Sequence, residues 1–205
     1  ELPYFLMGHS MGSFIAREFA AAYGNSLTAV VFMGTSAGIS TAMWKAERTY
    51  LNMLKKAKGA RAKIPSLEKI ATGPYNKKFK PNRTNYDWVT SKEEEVDRFV
   101  NDPLCGFSFT INGYMGLLEL LNRTYLDNTL TAGNPMLPII FMSGCEDSCM
   151  LGYKKHIEAV SKQQEAGYYY VGSKMYAGMR HEILNEIGKE QVLSLIHISE
   201  PTRPY

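Results

Sequence analysis

Gly8-His9-Ser10-Met11-Gly12 restricts the fold of this chain more than any other stretch, because an apolar run over residues 2–7 ends on it and an amphipathic run over residues 13–23 starts from it. A strand that turns sharply into a helix around G-x-S-x-G holds the serine in a strained backbone conformation, with its hydroxyl clear of the end of the sheet. Such a turn leaves no room for side chains two residues either way, and Gly8 and Gly12 fall at those places. The helix that follows aims its free N–H groups and the positive end of its dipole at the space beside Ser10. An oxyanion formed there is stabilised, and the Met11 amide is the expected donor.

The flanks decide how such a short pattern is read. Residues 4–7 are continuously apolar rather than alternating, as in a strand buried on both faces of a parallel sheet, and Pro3 stands where a missing N–H is tolerated. Downstream, Phe14, Ile15, Phe19 and Tyr23 follow helical spacing and Gly24 supplies a stop.

Residues 28–35 form a second apolar strand, which makes a strand-helix-strand unit and implies a parallel sheet. Residues 36–130 then lose the strand-helix alternation. They read as helices over 42–63, a broken stretch through Gly73-Pro74, and further helices over 91–101 and 111–121, the former closed by the turn-rich 101–106. A helical insertion of that length is expected to cap the carboxyl edge of the sheet, where α/β proteins keep their sites. The sheet resumes at 137–143, a helix covers 153–165, and the last strand is either 168–171 or 173–176. The expected organisation is a core of 1–35 with 131–192 and a cap of 36–130.

The 205 residues, 45% hydrophobic and 21% charged, fit one ordinary globular domain. A net charge of +3, without basic residues interleaved with aromatics, excludes nucleic acid as an expected partner. The basic residues are unevenly placed. Residues 45–83 hold twelve Lys or Arg against two Glu, a local net of +10, which fits either a solvated face or attraction to anionic lipid or an anionic head group. Trp44, Tyr50 and Met53 lie on the helix expected over 42–63 and are expected in the core. Cys105, Cys145 and Cys149 are an odd number without metal-ligand spacing, so neither a disulfide framework nor a metal is expected, and a reduced, cytoplasmic setting is. No other cofactor is implied, and no run is long and apolar enough to span a membrane.

Acyl transfer from a serine needs a base for the hydroxyl proton and a carboxylate to orient that base. Ser10, Asp147 and His181 supply these in chain order, the latter two just beyond strands ending on the same edge as Ser10. Glu146 is the competing acid, but aspartate has one rotatable bond fewer to freeze. Of the other histidines, His9 is expected to pack near the site and His156 to be an exposed helix residue.

Gly-His-Ser-Met-Gly-Ser at 8–13, Asp-Pro-Leu-Cys-Gly-Phe at 102–107, Gly144-x-x-Asp147 and Tyr-Ala-Gly-Met-Arg-His-Glu-Ile-Leu-Asn-Glu at 176–186 together resemble bacterial α/β-hydrolases. The likeness is to the monoacylglycerol lipase and lysophospholipase group, also described as serine aminopeptidase-like, over about residues 1–192. It implies an α/β-hydrolase fold and a hydrolase of carboxylic esters acting on a small-molecule or lipid substrate, with Ser10 as nucleophile, Asp147 as acid, His181 as base and the Met11 amide in the oxyanion hole. An aminopeptidase or amidase on the same triad, or a silent binding module, are the alternatives. Two features depart from the group: Ser148 stands where proline usually follows the acid, and the strands and the loop that supply a second oxyanion donor ahead of the Ser10 turn are not found. Residues 193–203 read as the translation of a transposase adapter used in sequencing libraries, so 193–205, including His197, are expected to be a non-native tail.

Overall fold

The computed structural model describes residues 2–36, 38–127 and 129–198, the side chains of 196–198 excepted. Strand β1 (Phe5–His9) runs into helix α1 (Met11–Tyr23), and β2 (Ala29–Met33) follows. Then come α2 (Thr41–Lys58), α3 (Pro65–Asn76), α4 (Glu93–Asn101) and α5 (Ile111–Tyr125), before β3 (Ile139–Gly144), α6 (Tyr153–Glu165), β4 (Val171–Tyr176) and α7 (Glu190–Ile198). The strands pair in chain order and all parallel. Their carboxyl ends, His9, Met33, Gly144 and Tyr176, therefore share one edge.

Alternate residues of β2 and β3 divide the core between the two faces of the sheet, as the two-residue period of a strand requires. Val30, Phe32, Ile139 and Phe141 pack on Phe14, Ala16 and Ala20 of α1 and on Ala159 and Val160 of α6. Met33 and Met142 pack on the other face with Tyr176, Met179, Ile183 and Val192. Tyr125, at the end of α5, belongs to the first of these clusters, so the helical insertion is rooted in the sheet core at that end. Its own cluster joins Leu51, Leu67, Ile111 and Leu118.

Local chemistry sets most helix ends. The Ser40 hydroxyl caps α2 by accepting from Met43 N–H, and Thr110 does the same for α5 through Gly113 N–H. Gly59, at φ +87°, ends α2 after three lysines in its last turn. The helix expected over 42–63 therefore ends early, at Lys58, and a separate helix, α3, starts beyond it on Pro65. The expected break at Gly73-Pro74 is absent. Pro74 lies so near the end of α3 that its missing N–H and ring clash disturb only the last turn.

Other expectations are corrected too. Helix α1 does end at Gly24, but without the left-handed turn of a usual glycine stop: Gly24 is right-handed at φ −56° and opens a 3₁₀ turn, and its missing side chain admits Asn134, whose backbone nitrogen lies 3.0 Å from where a Cβ would be. In β1, Phe5 is 39% and Met7 50% exposed, so among the described residues that face of the strand is not covered as expected. Tyr50 and Met53 are exposed, whereas Trp44 packs on the insertion's cluster and donates its indole N–H to Leu118 O. The fourth strand contains the 173–176 alternative. Helix α7 runs through 193–198, and residues 199–205 and the side chain of His197 lie outside the described residues.

Candidate active site

Ser10 occupies the step between β1 and α1 at φ +54°, ψ −123°, a conformation costing a non-glycine residue on the order of 1–3 kcal/mol. The surroundings enforce it. Ser10 N–H donates to Met33 O at 2.9 Å, and the Ser13 hydroxyl donates to Ser10 O at 2.6 Å. A Cβ on Gly8 would lie 2.3 Å from Gly12 O and 2.7 Å from Ala16 Cβ, so only glycine lets α1 fold back onto β1. Gly12 differs from expectation: a Cβ there meets nothing within 4 Å among the described residues. Met11 begins α1, so its N–H belongs to the first turn, where donors lack helical partners.

Behind the turn lies a buried polar chain that the sequence did not reveal. Thr35 Oγ1 accepts from the Ser13 hydroxyl at 2.8 Å and from the Arg17 guanidinium at 2.9 Å. Arg17 is 1% exposed, and no carboxylate pairs with it among the described residues. Its guanidinium lies 5.0–5.8 Å from the ring centroids of Phe14, Phe32, Tyr125 and Phe141, which offer a cation their negative faces. Helical spacing marks this face as apolar; an arginine on it was the available signal.

At the ends of β3 and β4 the structure brings Asp147 and His181 together. His181 Nδ1 lies 3.2 and 3.1 Å from the two Asp147 oxygens, and both residues are 3% exposed. Cys149 N–H donates to Asp147 Oδ1 at 2.8 Å. Burial, with the neighbouring Asp147 charge, pushes the Cys149 thiol well above its ordinary value, so it stays S–H and donates to the same carboxylate. Glu146 turns outward to Lys78 at 2.6 Å. Asp147→Asn is expected to lower kcat by about 10³–10⁴-fold with little change in KM, through loss of the tautomer the carboxylate selects. Glu146→Gln should leave the kinetic constants unchanged, and steady-state kinetics on both variants check the pair.

The Asp147 and His181 loops meet because Gly144 has no side chain: a Cβ there would sit 2.1 Å from Met179 O and 2.3 Å from Arg180 O. The loops of Ser10 and His181 meet through His9. Its Nε2 lies 3.2 Å from His181 O and its ring centroid 4.7 Å from that of His181. A carbonyl only accepts, so His9 carries its proton on Nε2. Gly34, at φ +54°, makes room for this bond: its Cβ would lie 3.0 Å from His9 Nε2 and 3.1 Å from His181 O. No hydrogen bond joins the Ser10 hydroxyl to His181 among the described residues. Such bonds are often long before substrate arrives.

Burial, assisted by the neighbouring His181, lowers the His9 pKa to about 4. Between about pH 6.5 and 4 the unfolded chain therefore binds a proton that the folded one refuses, and stability falls as pH falls through that window, by on the order of 3 kcal/mol. Denaturant midpoints should show this slope, and His9→Gln, which keeps a donor, should flatten it. His156, expected at the surface, is fully buried edge-on to Phe141, because α6 turns that face to the sheet; burial lowers its pKa as well. Asp147, Cys149 and His181 also place three ligand-type atoms within 4.8 Å of one another. A metal there would have to displace both the Nδ1 contact and the thiol proton.

A four-stranded parallel sheet with helices on both faces, a strained serine between β1 and α1, and an aspartate and histidine beyond the ends of β3 and β4 define an α/β-hydrolase fold. Residues 1–188 match the family described as serine aminopeptidase, S33, and the chain belongs to that family. It is 25% identical over 195 residues to Phospholipase YtpA of Bacillus subtilis (strain 168), covering 94% of this chain and 65% of that protein. Among solved structures it resembles a thermostable carboxyl esterase from Bacillus coagulans at 25% identity and TM-score 0.80, covering 96% of this chain and 65% of that one. A monoacylglycerol lipase from Paleococcus ferrophilus, at 14% identity and TM-score 0.64 over 96% of this chain and 68% of that one, shares the fold. The chain thus spans about two thirds of the length of these relatives.

Proposed function

We propose that the protein is a serine hydrolase that cleaves carboxylic esters of lipid-like substrates, monoacylglycerols or lysophospholipids, through an acyl-enzyme. The observation that carries this is His181 held through Nδ1 by a buried Asp147, on the same strand edge as the strained Ser10. In this reading Ser10 Oγ attacks the ester carbonyl while His181 Nε2 takes its proton. The Met11 amide donates to the oxyanion, and collapse expels the alcohol, which takes the proton back. Water then attacks the acyl-enzyme by the same steps in reverse. The residues at 36–130 act as a cap over this edge, with Trp88 from that segment 5.0 Å from the His181 ring.

Its similarity to a phospholipase and to a carboxyl esterase supports ester substrates, and the family's description as serine aminopeptidase supports amide cleavage as the second reading. The test is a panel of monoacylglycerols, lysophospholipids, p-nitrophenyl esters and aminoacyl amides. Turnover is expected on the lipid esters, and faster cleavage of aminoacyl amides than of any ester would overturn the assignment.

The basic segment supports peripheral contact with anionic membrane. Helices α2 and α3 expose Met43, Tyr50, Met53 and Ile70 among their lysines, although Lys78 and Arg83 are paired with Glu146 and Asp97. No described helix is long and apolar enough to cross a membrane. Sedimentation with phosphatidylserine vesicles should weaken between low and physiological ionic strength; binding indifferent to salt would reduce these lysines to a solvated face.

A further inference from the structure

The cap segment Asp87, Trp88, Val89, Thr90, Ser91 is bound to the His181 loop by a set of hydrogen bonds in which side chains of Arg180 and Glu186 reach mostly main-chain atoms of the cap. Glu186, 3% exposed, accepts from Arg180 N–H at 2.7 Å, from Ser91 N–H at 2.9 Å and from the Ser91 hydroxyl. The Arg180 guanidinium donates to Asp87 O and, at 3.0 Å, to Thr90 O, while stacking 4.1 Å over the Phe79 ring. Glu182 N–H donates to Val89 O at 2.8 Å, and the Thr90 hydroxyl to Asn185 O at 3.2 Å. Within this frame the Trp88 ring packs on His181. The residues immediately before and after His181 are thus both tied to the cap, and one carboxylate bridges the two segments.

We infer that residues 87–91 and 180–186 form a single mechanical unit closed by Glu186, and that Glu186 is a positioning residue that keeps His181 in register with Asp147. Two features make this more than general packing. The Glu186 carboxylate is buried without a cation paired to it among the described residues, so its desolvation is offset only by these three donors, two of them from the cap segment. And the Arg180 N–H it holds belongs to the Met179–Arg180 peptide, one peptide before the one that enters His181, so loss of that bond loosens the backbone leading into the residue whose ring is to be oriented. Displacing the cap would therefore withdraw the base as well as uncover the site. The inference rests on the proposed role of His181 for its kinetic consequence, but not for the coupling itself.

Hydrogen–deuterium exchange with peptide mass spectrometry separates the two. In Glu186→Ala, exchange is expected to rise together in peptides covering 87–91 and 180–186 and to stay unchanged in β1 and β2. kcat should fall by about tenfold or more with KM little altered, and the rate at which a fluorophosphonate labels Ser10 should fall in parallel. Glu186→Gln, which keeps an oxygen facing the two N–H groups, should restore both. If the alanine variant does not fold, Ser91→Ala, which removes one donor from the cap side, should raise exchange in both segments to a smaller degree. Increased exchange confined to one segment would overturn the coupling whatever the kinetics, and joint loosening with unchanged kcat would overturn the positioning role. A wild-type protein inert to the probe would instead count against the hydrolase reading, with exchange still deciding the coupling.

Discussion

Replacing Ser10 with alanine is expected to reduce ester turnover below about one part in a thousand of wild type while leaving the fold intact. The hydroxyl is the proposed nucleophile, so nothing substitutes for it chemically. Its loss costs the fold little, because Ser10 Oγ makes no hydrogen bond among the described residues and the backbone bonds through Ser10 N–H and C=O do not involve it. Ser10→Gly separates chemistry from strain. It removes the same oxygen but relieves a positive φ of 54°, so it should be equally inactive yet more stable than the alanine variant, by about 1 kcal/mol. Kinetics with thermal melts of both variants check this. Residual activity well above that level would place the nucleophile elsewhere.

Gly144→Ala should have the next largest effect, although Gly144 is not itself proposed to touch substrate. Its Cβ would fall 2.1 and 2.3 Å from the Met179 and Arg180 carbonyl oxygens, distances that demand backbone movement rather than a rotamer change. Those carbonyls belong to the loop entering His181, so relief of the clash carries the base away from Asp147. Displacement by about 1 Å is enough to cost roughly 10²-fold in rate. Overpacking of this kind destabilises by about 1–3 kcal/mol. Both losses are expected together, read as kcat and as a denaturant midpoint. A Gly144→Ala protein with native stability and rate would show that the contact between the two loops does not set the geometry of the site.

The parts of this molecule that the sequence made legible are those carried by short-range patterns. Apolar runs flanking Gly8-His9-Ser10-Met11-Gly12 announced the strand, the turn and the helix, because strand burial and helix amphipathicity are written within a dozen residues. Asp147 was preferred to Glu146 because its shorter side chain has one rotatable bond fewer to freeze, and the structure turns Asp147 to His181 and Glu146 to Lys78. The same local reasoning misjudged α3, since a proline stops a helix only if enough helix remains beyond it, and it placed the end of α1 at Gly24 without showing that the glycine's small size also serves a distant segment.

What stayed hidden depends on which elements meet. The burial of His156, the aromatic enclosure of Arg17, and the close approaches at Gly34 and Gly144 each require knowing which face of an element packs against a partner far away in sequence. The exposed face of β1 is a further case. An unbroken apolar run reads as a strand buried on both sides, and only the packing of the described residues shows Phe5 and Met7 uncovered. The clasp at Glu186 lies within one of the motifs that carry the family resemblance, at 176–186, but its partner, Ser91, lies 95 positions earlier.

The most direct measurement is to react the protein with a fluorophosphonate probe, digest it and locate the adduct by tandem mass spectrometry. A single phosphonylated residue at Ser10, formed far more slowly in His181→Gln and Asp147→Asn, is the predicted result. An adduct on another residue, or labelling of Ser10 that proceeds equally fast without His181, would contradict the assignment of this site.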